Sequence, residues 1–199
     1  LVAFNFGYSF NKTNNFAQSM VIQGVNQNSS MADYWANNSD GVFYKDLSGA
    51  EGIVYDAWVM DTITGSGARS YGTVYSNYGD NWPSVYGQNV RRLIYYDGFT
   101  GEHAISFGGN YADKLYFGAT FGITQLQYDN HFELLESTDK LMASGFKSFN
   151  YIDHYEHSGV GYGFKLGAIV RPVDALRIGV AFHSPTWFTI DEYFWQSIS

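Results

Sequence analysis

The sequence contains no cysteine, which excludes a disulfide framework, a thiolate metal site and a cysteine nucleophile. Proline occurs only 3 times in 199 residues, against 22 glycines and 19% aromatics, a balance that argues against a disordered tail. Basic residues are few: 11 Lys and Arg stand against 19 Asp and Glu, for a net charge of −8. With no basic run, the electrostatic footprint of a nucleic-acid binder is missing, and nucleic acid is excluded as a partner. A run of about 20 consecutive apolar residues is also missing, so no segment can cross a bilayer as a helix. Leu1 to Phe10 has neither the basic start nor the continuous apolar stretch of a signal peptide. The sequence is therefore read as mature, trimmed or part of a longer chain. No Gly-x-Ser-x-Gly elbow, phosphate-cradling loop or His-Glu-x-x-His is present, and Gly65-Ser66-Gly67 lacks the following helix and lysine. Neither catalysis nor a cofactor is expected.

What the sequence does have is alternation. Val2, Phe4, Phe6, Tyr8 and Phe10 alternate with Ala3, Asn5, Gly7 and Ser9, a period of two that puts large apolar side chains on one face of a strand. The pattern returns at Ile105, Phe107 and Tyr111, then at Leu115, Phe117, Phe121 and Ile123, with only Ala112-Asp113-Lys114 between, which predicts a hairpin. It returns again at Val160, Tyr162, Phe164, Leu166 and Val170 and, after Arg171-Pro172-Val173-Asp174, at Leu176, Ile178, Val180 and Phe182. Five strands are predicted, at about 1–12, 101–111, 115–128, 159–170 and 176–190, with long loops at about 13–100 and 129–158.

Such alternation ordinarily marks a sheet with its apolar face on a protein core, and a soluble β-sandwich binding a glycan through loop aromatics is one reading. The minor face, however, is rich in glycine, and the connections alternate between short and long. That asymmetry is typical of transmembrane β-barrels, with short turns on one side, long loops on the other and an apolar outer face. Within the first long loop, Met31 to Ala36 after Ser29-Ser30 predicts a short capped helix, and Gly49 to Asp61 a second. The stretch from Thr62 to Asn89 reads as an ordered but irregular cap.

Three strings resemble the outer-membrane long-chain fatty-acid transporter family, the hydrophobic-compound transporters of Gram-negative bacteria. They are Val2-Ala3-Phe4-Asn5-Phe6-Gly7-Tyr8-Ser9-Phe10-Asn11 with Asn14-Asn15-Phe16, the hairpin Ile105 to Gly122, and Arg171-Pro172 through Leu176 to Ser184-Pro185. The resemblance implies an all-β fold: an antiparallel transmembrane barrel of about fourteen strands, of which these residues form roughly the third to the seventh, with long, partly helical extracellular loops. It implies outer-membrane localisation, a lumen plug, and passive transport of compounds such as long-chain fatty acids by capture in the loops and lateral release through a kinked strand. Gly7 is the position where that kink is expected. The implied partners are outer-membrane lipid, hydrophobic small molecules, and other membrane proteins or further parts of the same barrel. A structural or partner subunit of an outer-membrane complex is the alternative on the same architecture.

An apolar ligand needs concave apolar surface with a few polar groups. The loops offer Trp35, Phe43, Trp58, Met60 and Trp82, then Phe132 and Leu134; the same residues would equally serve as a small core. A carboxylate head needs a cation, and the candidates on the polar face are Lys165, Arg177 and His183, with Arg91 and Arg92 near the loop exit. A salt-bridge ladder is the competing role. His154 and His157 stand three apart on an expected loop, with no further ligand placed by spacing, and no metal is assigned.

Overall fold

The structure is a computed structural model that describes residues 2–63, 67–76, 85–140 and 145–199. Strands account for 67% and helices for 11%, so the all-β expectation holds. The long strands are β1 (Val2–Asn15), β2 (Gln18–Asn26), β5 (Gln88–Tyr111), β6 (Leu115–Ser137), β7 (Ser148–Val173), β8 (Leu176–His183) and β9 (Trp187–Ile198). Between β2 and β5 lie α1 (Met31–Ser39), α2 (Gly49–Asp56) and the short pair β3 (Met60–Thr62) and β4 (Tyr71–Thr73). The main sheet follows the order β1-β5-β6-β7-β8, with β2 also pairing β5 and β9 also pairing β7. Among the described residues this path does not close on itself. Among the described residues no helix is long and apolar enough to cross a membrane, which says nothing of a β-barrel.

The loop boundaries require correction. The expected loop 13–100 contains β2 and the first part of β5, and most of the expected loop 129–158 belongs to β6 and β7. The strands continue where strict alternation stops, as in Val90-Arg91-Arg92-Leu93-Ile94-Tyr95-Tyr96, because pairing to a neighbouring strand overrides local pattern. The expected strand 176–190 is two strands, interrupted at Ser184-Pro185-Thr186. There the Ser184 hydroxyl accepts the Phe164 N–H at 2.9 Å, and the Ser184 N–H donates to the Phe164 carbonyl. Pro185 has no N–H to give the ladder.

The β5–β6 hairpin is as tight as predicted. Ala112 and Asp113 have φ of 53° and 55°, the positive values of a primed hairpin turn, and the Lys114 N–H donates to the Tyr111 carbonyl at 3.0 Å. Asn110 makes the unusual conformation tolerable: its side chain accepts the Asp113 N–H at 3.0 Å and donates to the Asp113 carboxylate at 2.6 Å.

Both predicted helices form. In α1, Ser30 is an extended N-cap whose hydroxyl accepts from Ala32, while Asp33 accepts the Ser30 N–H at 2.8 Å, a complete capping box. α2 ends at Asp56, short of the expected Asp61. The Trp58 N–H donates to Tyr55 and the Val59 N–H to Val54, a Schellman closure with Trp58 at φ 61° in the position that usually takes glycine.

The chain divides into two compact units. The first comprises Leu1–Gln18, Tyr96–Asp129 and Glu156–Tyr193; the second comprises Ser19–Tyr95, Asn130–Tyr155 and Phe194–Ser199. The second has an interior core built on Ala32, Trp35, Val54, Met60, Leu134 and Phe149.

Candidate functional site

In the first unit the two faces of the sheet differ sharply. Phe6 stands opposite Phe107, Tyr8 opposite Ile105, Leu166 opposite Phe182 and Val170 opposite Ile178, all on one apolar face. That face is exposed: Phe4 is 75%, Phe6 67% and Val180 71% accessible. Aromatic pairs cross it, with Phe6–Phe107 ring centroids 5.2 Å apart and Phe164–Phe182 5.8 Å apart.

The opposite face is small and polar. Asn5 stands opposite Gly108, Gly7 opposite Ser106, Lys165 opposite His183 and Gly167 opposite Ala181. These residues, with Gly118 and Thr120, line a recess of about 580 Å³. Ser106 and Thr120 share a 2.9 Å hydrogen bond on its floor. The Lys165 ammonium donates to both carboxylate oxygens of Glu102, at 2.7 and 3.0 Å. The glycines here are not forced by packing, since a Cβ at Gly7 would meet nothing within 4 Å and one at Gly108 only a carbonyl at 3.7 Å. Lys165 and His183, both exposed, are thus brought together across β7 and β8. Arg177 is exposed on β8.

Gly7 itself lies in uninterrupted register with Ser106, so the pairing does not kink there. The irregularity in β1 falls between Lys12 and Asn14 instead.

In the second unit the apolar candidates separate into two groups. Trp35, Met60 and Leu134 are fully buried, and the Trp35 ring lies 5.8 Å from Phe149 and 4.9 Å from Tyr151. Their surface is already used in packing. Phe43 and Phe132 are half-buried, the first against Tyr44 and the second beneath the Arg92 guanidinium at 5.4 Å. Trp58 alone of the described aromatic candidates is broadly exposed, at 71%. Trp82 lies outside the described residues. Arg91 and Arg92 are strand residues of β5 rather than part of a loop exit.

His154 and His157 are also on a strand, β7, rather than on a loop. Three apart on a strand, they point to opposite faces and cannot share one ion. His157 pairs with Glu192 at 3.1 Å, while the His154 ring lies 5.4 Å from Trp195.

One polar cluster escaped the sequence reading. Glu136, 2% exposed near the end of β6, accepts from the Ser30 hydroxyl at 2.6 Å, the Met31 N–H at 2.9 Å and the Gln88 amide at 3.3 Å. Burial raises its pKa above the ordinary value, although these three donors pull the other way. Asp33 gathers a second set, accepting from Thr73 at 2.9 Å, Ser76 at 2.6 Å and Tyr86 at 2.9 Å. Only Ser30 carried a signal in the sequence, in the Ser29-Ser30 pair ahead of the first helix.

No family model matches the chain, and neither does any curated protein or solved structure.

Proposed function

We propose that these residues form part of an outer-membrane β-barrel that moves hydrophobic compounds, such as long-chain fatty acids, by passive capture and lateral release into the membrane. The observation that carries this reading is the exposed apolar face of the first unit, backed by a face of glycine and polar side chains. In water, so large an apolar surface is costly; against lipid it is the ordinary outer surface of a barrel. A soluble sandwich would need a second layer over Phe4, Phe6, Phe107 and Val180, and none is present among the described residues. The membrane-spanning portions on this reading are the first unit's strand segments; the second unit, with a core of its own, is the aqueous part. His183, beside the Lys165–Glu102 ion pair, supplies a polar lining for a ligand's head group, and Trp58 supplies exposed apolar surface for capture.

The decisive experiment has two parts. Outer-membrane fractionation with heat-modifiable migration tests the barrel, and uptake of a labelled long-chain fatty acid by cells with and without the protein tests the transport. Membrane-bound protein with protein-dependent uptake is expected; a water-soluble monomer overturns both claims.

A second reading keeps the barrel as an anchor or partner subunit of an outer-membrane complex. Its support is the burial of Trp35, Met60 and Leu134, which makes the second unit a packed module rather than an apolar cleft. Membrane-bound protein whose deletion leaves uptake unchanged but releases an associated protein would favour it.

A further inference from the structure

We infer that the glycine-rich polar face of the first unit is a trough for an amphiphile with an uncharged hydrogen-bonding head and a single hydrocarbon tail. The inference deepens the transport reading and rests on it, since that reading turns this face towards the interior of a barrel. Two recesses meet here. The one already described, of about 580 Å³, holds Ser106, Thr120, Lys165 and His183. A second, of about 520 Å³, shares Gly118, Gly167 and Ala181 with it and is lined further along by Tyr116 and Ile169, which alternate onto the same face.

The second recess is the apolar end. Ile169 stands opposite Gly179 and is 45% exposed, a large apolar side chain left open on a face that is otherwise small and polar. The floor shared by the two recesses is backbone. A Cβ at Gly118 would meet only the Phe107 carbonyl oxygen, at 3.6 Å, and one at Gly167 only the Val180 carbonyl oxygen, at 3.8 Å, so the way between the two ends is open. From Lys165 to Ile169 the strand advances about 13 Å, the reach of a tail of roughly ten carbons.

At the polar end the charges cancel. Glu102 on β5 reaches Lys165 on β7 across β6 at Gly122, where a Cβ would lie 2.7 Å from the Glu102 carboxylate oxygen, so glycine there admits the ion pair. An incoming carboxylate would meet Glu102 as a like charge and find the ammonium already taken. A hydroxyl meets no such penalty. Ser106 and Thr120 share a single hydrogen bond, which leaves one of their two protons to donate, and the His183 imidazole stands opposite Lys165. Arg177, on β8 two residues beyond Gly179, lines neither recess.

The test is equilibrium binding of labelled 1-decanol and decanoate to the full chain in phosphatidylcholine nanodiscs at about pH 9, with binding to empty nanodiscs subtracted. Decanol is expected to bind about tenfold more tightly than decanoate. Glu102→Gln, which frees the ammonium, should raise decanoate affinity about tenfold. Gly118→Leu, which fills the floor without a backbone conflict at its Cβ, should abolish binding of both. Decanoate bound as tightly as decanol by the unaltered chain would place the head on a cation such as Arg177 and overturn the proposal, as would unchanged decanoate binding by Glu102→Gln or unchanged decanol binding by Gly118→Leu. Protein that enters nanodiscs but holds no decanol above the empty discs overturns the trough and leaves the barrel reading standing. Failure to enter nanodiscs overturns both.

Discussion

Glu136 accepts a 2.6 Å hydrogen bond from the hydroxyl of Ser30, a residue 106 positions earlier that caps the first helix. A strand carboxylate thus fixes the start of α1, taking the Met31 N–H as well and supplying negative charge where the helix dipole favours it.

Burial raises the Glu136 pKa, so the folded state holds its proton to higher pH than the unfolded chain does. The associated stability is present below the unfolded value and lost as pH rises through the folded one. Thermal unfolding of the second unit, followed in detergent from about pH 4 to about pH 8, should show stability falling with pH. Glu136→Gln should flatten that slope. Glu136→Ala, which leaves buried donors on Ser30, Met31 and Gln88 without an acceptor, should cost about 3 kcal/mol.

Trp58 sits at the left-handed closing position of α2, where a side chain costs about 1 kcal/mol, yet it is 71% exposed and gains little from packing. Trp58→Gly should therefore raise the unfolding temperature. If Trp58 contributes to capture, the same variant and Trp58→Ala should both reduce fatty-acid uptake while the protein remains in the membrane. Unchanged uptake would remove this residue from the mechanism.

Trp35 behaves oppositely. Its ring is buried between Phe149 and Tyr151, and Trp35→Ala should cost about 3–5 kcal/mol. Loss of near-ultraviolet circular dichroism together with a lowered unfolding temperature would report it; a small effect would mean that the ring is dispensable to the core.

Two glycines on β5 should respond very differently to alanine. At Gly98, with φ 112°, a Cβ would lie 2.2 Å from the Gln127 carbonyl oxygen, so Gly98→Ala should cost about 3 kcal/mol or more. At Gly108 the nearest atom is 3.7 Å away, and Gly108→Ala should be close to neutral. Unfolding midpoints in denaturant distinguish the two.

The five alternating runs were legible in the sequence because one face of each strand is almost wholly apolar. The β5–β6 turn and the Ser30 cap were legible for an equally local reason: each depends on residues within four positions of one another. The extensions of β5, β6 and β7 were not. In Asn150-Tyr151-Ile152-Asp153-His154-Tyr155, both parities carry large side chains, so no period of two stands out. The Glu136 cluster was invisible for a different reason, since its partners Ser30 and Gln88 are brought to it only by tertiary pairing. The tryptophans show the same limit: composition marked Trp35 and Trp58 alike, while packing buried one and left the other exposed.

The order β1-β5-β6-β7-β8 also has an arithmetic consequence. Neighbours alternate in direction, so the two outermost strands, β1 and β8, run the same way. They cannot pair antiparallel with each other, and β8 of one chain cannot pair antiparallel with β1 of an identically oriented copy. Any closed antiparallel wall built on this sheet therefore takes an odd number of additional strands, the first running against β1 and the last against β8.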